Sequence, residues 1–205
     1  GVMPAGESIR QWASTATAGS EYGDPDWAAH QATGAPDTLD CGDHETAWAS
    51  KENFSIDWLE VGFAQPVIPT EINIYESHTP TQVVKVEVRD DTGSYHEVYT
   101  ATPTVTSPCP YVLKIAIQSA NYNAVAVRIT VDQSQIGLPW DEIDAVELVG
   151  VSSSPVVQPP ATDAPKPPSA DDPPDSGAIP PGASAIASWT WRDYTSADGL
   201  PDDNV

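Results

Sequence analysis

Lysine and arginine are scarce. Eight of them stand against thirty aspartates and glutamates in 205 residues, a formal net charge of -22, and within residues 1–151 the split is 6 against 22. Nucleic acids and anionic membranes recruit proteins through lysine and arginine, so this composition disfavours both as partners. The acidity suits solubility in an exterior medium and leaves carboxylates available to calcium. No run of about 20 apolar residues occurs, which excludes a membrane-spanning helix. Gly1 to Ile9 lacks the charged start and apolar core of a signal peptide, so export implies a leader already removed. Also missing are GxSxG, HExxH, Walker and GxGxxG motifs, and His30, His44, His78 and His96 are scattered without zinc-ligand spacing. A noncatalytic chain is expected. Acidic pairs such as Glu142 and Asp144 imitate a glycosidase dyad, but carboxylates are so abundant that chance pairs account for them.

Only two cysteines occur, Cys41 and Cys109, 68 positions apart and too distant for a CxxC redox or metal signature. They are either a disulfide of an oxidising compartment or two buried thiols. We expect the disulfide, and with it an extracellular or cell-surface location. Closing a loop of this length stabilises by roughly 4 kcal/mol in the chain-entropy model.

Hydrophobic periodicity is sustained only in residues 1–151, and it has period two. Gln11 to Ala18, Trp58 to Phe63, Glu71 to Glu76, Val83 to Arg89, Tyr95 to Thr100, Tyr111 to Ile117, Ala124 to Val131 and Ile143 to Val151 read as strands broken by Gly, Pro, Asp and Asn. Eight short strands without a long helix predict an all-β domain, a β-sandwich with buried inner and wet outer faces. Asp26 to Thr33 alone reads as one or two helical turns. Trp12, Trp48 and Trp58 fall on strands or strand entrances and are expected in the core.

Residues 152–182 carry ten prolines, no aromatic residue and one basic residue, Lys166. Their Pro-Pro pairs favour extended polyproline II, a semi-rigid spacer. From 183 to 205 alternation returns, with Ile186, Trp189 and Trp191 as bulky members; a strand of this kind seeks a sheet edge. The closing WTWRDYTSADGLPDDNV resembles the first strand and turn of a repeat in two-component-regulator β-propellers, which need several blades to close.

DCGDHETAWAS at Asp40 to Ser50, DWLEVGFAQPVIPTEINIYE from Asp57 and WDEIDAVELVG at Trp140 to Gly150 together resemble the discoidin-like (factor 5/8 type C, galactose-binding-like) jelly rolls, in a branch found in bacterial surface proteins. The resemblance covers about residues 10–151. It implies a jelly-roll β-sandwich, with a ligand held on loops at one end and a structural Ca²⁺ between the early loop and the last strand. Asp43, Thr46 and either Glu142 or Asp144 match that calcium set. Asp40 adds a further oxygen beside Gly42, and hard cations take six to eight such oxygens. Cys41 departs from the family spacing of this loop.

Ligands of such folds meet exposed rings that stack on sugar faces. Tyr22, Trp27, His78 and Trp140 lie on candidate end loops, and Trp27 and Trp140 also suit plain packing roles. Two functions follow from the organisation. One is a noncatalytic extracellular binding or adhesion module for a glycan or surface molecule, carried on a proline-rich stalk. The other is a structural subunit of a filament or surface layer, assembled by donating Ile186, Trp189 and Trp191 in a strand to a neighbouring copy.

Overall fold

A computed structural model of the chain describes residues 6–104, 108–135 and 137–152. The proline-rich spacer and the tail with Ile186, Trp189 and Trp191 lie outside the described residues. Eight strands and one 3-10 turn make up the domain: β1 (Ser8–Trp12), β2 (Thr15–Ala18), the turn Ala29–Ala32, β3 (Ile56–His78), β4 (Val83–Asp90), β5 (Tyr95–Thr100), β6 (Tyr111–Ala116), β7 (Ala124–Asp132) and β8 (Glu142–Val151).

Among the described residues the strands pair antiparallel and form two layers joined through β3. Its first half pairs with β2 and β7, and β7 carries β4 and then β5. Its second half pairs with β6 and β8, and β8 carries β1. The register slips between Gly62 and Val67, where the 23-residue strand passes from one layer to the other. Proline lacks a ladder donor, and Pro66 and Pro69 sit at this passage and at the next register shift, where a missing N–H is tolerated. The prolines suggested two strands in sequence, Trp58 to Phe63 and Glu71 to Glu76; the chain instead runs continuously through both. Gln11 to Ala18 shows the converse. It divides at Ala13 and Ser14, so that β1 joins the β8 layer and β2 the β3–β7 layer.

The layers interlock through alternate residues: Leu59 and Val61, Ile72 and Ile74, Val86 and Val88, Val127 and Ile129, Val146 and Leu148. Trp48 is 0 % exposed at the end of this core, and its backbone bridges to Ile143. Strand β8 is buried along nearly its whole length because its outer face is also covered. There Arg10 clasps Glu147 with two bonds, at 2.9 and 2.7 Å, Asn73 donates to Glu147 at 2.9 Å, and Trp12 meets Tyr75 edge-on at 5.4 Å.

Trp58 is not core. It lies half-buried on the outer face, where the Arg128 guanidinium sits 4.5 Å from its ring and 4.7 Å from that of Tyr95. Glu60 holds this stack by accepting from Arg128, Arg89 and the Tyr95 hydroxyl.

Candidate functional site

Because β3 doubles back between layers, both of its ends reach the same end of the sandwich. Ile56 is in register with Asp132, whose N–H bonds to Gln82 at the start of β4, while His78 is in register with Glu142. The segments after β2, before β3, between β3 and β4, and between β7 and β8 therefore gather there.

Three of the four ring candidates come together. Tyr22 is 53 % exposed, with Trp27 edge-on at 5.3 Å on one side and Trp140 edge-on at 5.2 Å on the other. Backbone bonds pin this arm to the segment before β3: Tyr22 N–H to Ala49 O, Trp27 N–H to Glu45 O, and Ala49 N–H to Trp27 O. Each indole is oriented by its own N–H. Trp27 donates to Asp43 Oδ1 at 3.0 Å and Trp140 to Ser50 O at 2.8 Å. Trp27 also adopts φ 54°, a left-handed conformation uncommon for a bulky residue, just before the 3-10 turn. His78 is half-buried at the end of β3 and makes no ring contact with the three among the described residues.

The support beneath Trp140 was not visible in sequence. Buried Gln133 donates to Ser50 Oγ at 2.6 Å and accepts the Asp141 N–H at 3.0 Å, so one glutamine fixes both the floor of the indole and the entry to β8. Nothing in spacing or composition distinguishes such a residue from a solvated glutamine.

The calcium set is not assembled as a cage. Asp40 is exposed, and the Thr46 hydroxyl pairs with that of Thr38 at 2.6 Å. Asp144 Oδ1 receives the N–H groups of Asp37 and Thr38, and Glu142 Oε2 that of His44. Asp43 is held by Trp27, and among the described residues no group of three or more His, Cys, Asp or Glu side chains is arranged around a metal position. The oxygens of Asp43, Thr46, Glu142 and Asp144 named above each meet an N–H or hydroxyl of the chain itself. Burial pushes the Glu142 carboxyl up to about 8, opposed by the His44 N–H and reinforced by nearby Asp43. Asp144 is likewise pushed up to about 6 by burial, with Thr38 and the Asp37 N–H opposing.

Cys41 and Cys109 are joined, with their Cα atoms 5.3 Å apart. The bridge ties the acidic loop to the entrance of β6, and Gly42 N–H bonds to Ser77 O at 3.0 Å beside it. Nearby lies a cavity of about 340 Å³, walled by Pro36, Leu39, Pro110 and Val112 and by the rings of Tyr75 and Tyr111. None of the four ring candidates lines it.

Two antiparallel layers with a last strand buried between partners define a discoidin-like, galactose-binding-like β-sandwich. Residues 4–159 match the family described as pappalysin-1, SD scarf domain, C-terminal, and the chain belongs to that family. The fold is shared with a mutant of chitosan-binding module 1 from a Paenibacillus sp. IK-5 chitosanase/glucanase (22 % identity, 66 % of this chain and 93 % of that one, TM-score 0.51). It is shared also with the family 32 CBM of Clostridium perfringens NanJ, solved in complex with galactose (20 %, 69 % and 99 %, TM-score 0.50). Saccharomyces cerevisiae allantoicase resembles it over 73 % of this chain and 44 % of that one (14 % identity, TM-score 0.51). At these identities the likeness is one of fold. No curated protein matches the sequence.

Proposed function

We propose that the domain is a noncatalytic glycan-recognition module of an extracellular or cell-surface protein, carried on the proline-rich segment that follows it. The observation that carries this reading is the ring cluster: Tyr22 exposed between Trp27 and Trp140, with both indoles locked by their N–H groups. A sugar offers an apolar ring face and a rim of hydroxyls. Rigid rings at low entropic cost, next to the Asp43 carboxylate and backbone carbonyls, suit both. Two modules of the same fold, one chitosan-binding and one solved in complex with galactose, support the class without naming this chain's sugar. The disulfide supports an oxidising location, and no described helix is long and apolar enough to cross a membrane.

A glycan array probed with the full chain, followed by calorimetry on the best sugar, tests the reading. Tyr22→Ala and Trp140→Phe should each weaken binding at least tenfold while far-UV circular dichroism stays that of the parent. An array without signal, or affinity indifferent to both substitutions, would overturn it.

A further inference from the structure

A second gathering of polar side chains and rings lies away from the ring cluster. Strand β4 leaves the ring end at Val83, next to the bond between Asp132 N–H and Gln82 O, and finishes at Asp90, in register with Ala124. Strand β6 finishes at Ala116, in register with Glu71. The β4–β5 turn and the β6–β7 connection therefore meet at the far end of the sandwich. Asp91 and Asn123 fasten them with two bonds, Asp91 N–H to Asn123 O at 3.1 Å and Asn123 Nδ2 to Asp91 Oδ2 at 2.9 Å. Between β5 and that connection opens a cleft of about 440 Å³, which shares no residue with the ring cluster.

One imidazole of this cleft is fixed from behind. Asp90, its side chain 8 % exposed, receives the Thr92 N–H, the Thr92 hydroxyl and the Ser94 N–H on Oδ1, and its Oδ2 meets His96 Nε2 at 2.7 Å. His96, with Thr92 and Ser94, holds this carboxyl well below the usual carboxylate range, so Asp90 accepts and Nε2 carries the proton. Tyr122 stacks on the same ring, with centroids 3.8 Å apart and planes 5° from parallel. Carboxylate and tyrosine together leave the imidazole one orientation. Its Nδ1 has no hydrogen-bond partner among the described residues, and the side chain is 36 % exposed. Gln118 and Ser119 line the cleft too, both exposed and without a side-chain hydrogen bond among the described residues. Ser119 adopts φ 59°, a left-handed conformation uncommon outside glycine. Val98 and Ile117, half-buried, give the cleft an apolar wall.

The composition of the walls selects the class of ligand. They carry no lysine or arginine, and the domain has 22 acidic residues against 6 basic ones, so an anion is repelled. A cation finds only Glu97 besides the carboxylate already spent on His96, and Glu97 is exposed and screened by salt. A wholly apolar molecule would strip water from Nδ1, Gln118 and Ser119 and return nothing. A neutral sugar meets each wall. Its hydroxyls donate to an acceptor nitrogen and exchange hydrogen bonds with a carboxamide and a hydroxyl, while its C–H face covers the aliphatic side chains.

We propose that this cleft is a second sugar site, taking a neutral hexose residue against Val98 and Ile117 with its hydroxyls on His96 Nδ1, Gln118 and Ser119. The class of ligand rests on the glycan-recognition reading, and the site itself is separate from the ring cluster. Asp90 acts as a positioning residue, since it fixes the imidazole without facing the sugar. The tie between Asp91 and Asn123 sets the two lips in place before any ligand arrives, which lowers the ordering cost of binding.

The test follows backbone amide resonances of the isotope-labelled full chain during titration with galactose, glucose and mannose, which differ in the orientation of single hydroxyls. At least one hexose should shift the amides of His96, Gln118 and Tyr122 saturably at millimolar concentration. His96→Phe, which keeps a ring beside Tyr122, and Gln118→Ala, at an exposed position, should each weaken that response at least fivefold. Tyr22→Ala should leave it unchanged. Absence of a saturable shift at these amides with all three sugars, or a response indifferent to both His96→Phe and Gln118→Ala, would overturn the second site whatever the ring cluster does. A response kept here while no sugar moves the amides of Tyr22, Trp27 and Trp140 would support this site and sink the reading of the ring cluster instead.

Discussion

Cys41 and Cys109 join the loop before β3 to the entrance of β6 across 68 positions, and both flanks rest on Ser77: Gly42 N–H bonds to its carbonyl, and Cys109 Sγ lies 3.2 Å from the same oxygen. A cross-link of that span withholds about 4 kcal/mol of chain entropy from the unfolded state in the loop-closure model. Cys41→Ser with Cys109→Ser, or reduction of the native protein, should therefore lower the urea midpoint by a large fraction of the total stability while the sheet remains. Equal midpoints for oxidised and reduced protein would show that the unfolded chain gains nothing from release.

The sign of pH dependence follows from Glu142. Burial raises its folded-state value to about 8, far above that of an unfolded glutamate, so between the two the native state holds the proton that the unfolded state has released. Its contribution is fully present below the unfolded value and is lost as pH rises toward 8. Asp144, raised to about 6, acts in the same direction over a narrower window. Glu142→Gln should flatten the decline in stability from pH 5 to pH 8, as read by melting temperature at fixed ionic strength. A decline of parental steepness in the variant would assign it elsewhere.

Strands with a clean period of two were legible. Tyr95–Thr100 has the bounds that alternation suggests, and Val83, Tyr111 and Ala124 open their strands as expected. What misled was local chemistry overridden by topology. Pro66 and Pro69 read as breaks, but β3 crosses between layers there and has little need of their N–H groups. Alternation across Ala13 and Ser14 hides a change of partner, because strand pattern reports burial and not pairing. Rings on end loops can be chosen as candidates from sequence, and the fold brings three of them, Tyr22, Trp27 and Trp140, into contact. His78 shares their loops but not their cluster. The Glu76 and Asp141 contact spans 65 positions in a chain with thirty carboxylates, and no pattern singles it out.

Trp48 and Trp58 carry the same side chain with different work. Trp48 is wholly buried and donates its indole N–H to Ser20 O at 3.1 Å, so Trp48→Ala should cost about 3–5 kcal/mol by leaving a core cavity. Trp58 lies on the outer face under Arg128, where a cation–π contact contributes about 0.5–1 kcal/mol at an exposed site. Trp58→Ala should therefore be distinctly milder in urea unfolding, and a loss equal to that of Trp48→Ala would return Trp58 to the core.

The segment beyond the spacer separates the two roles expected of the chain. Its alternation of Ile186, Trp189 and Trp191 suits an open sheet edge, and the domain has such edges, since β5 and β1 end the strand order. Burying each large apolar side chain on an edge contributes roughly 1.5–3 kcal/mol, enough to hold copies together if all three are covered. A tethered binding module has no need of that contact. On the proposed reading, sugar affinity would rest on Tyr22 and Trp140, both outside the deleted segment. Deletion of residues 183–205 should then leave sugar affinity unchanged, and the molar mass from light scattering should drop only by the mass removed. A collapse from multimer to monomer would instead establish donation of this strand between copies and make assembly the principal role.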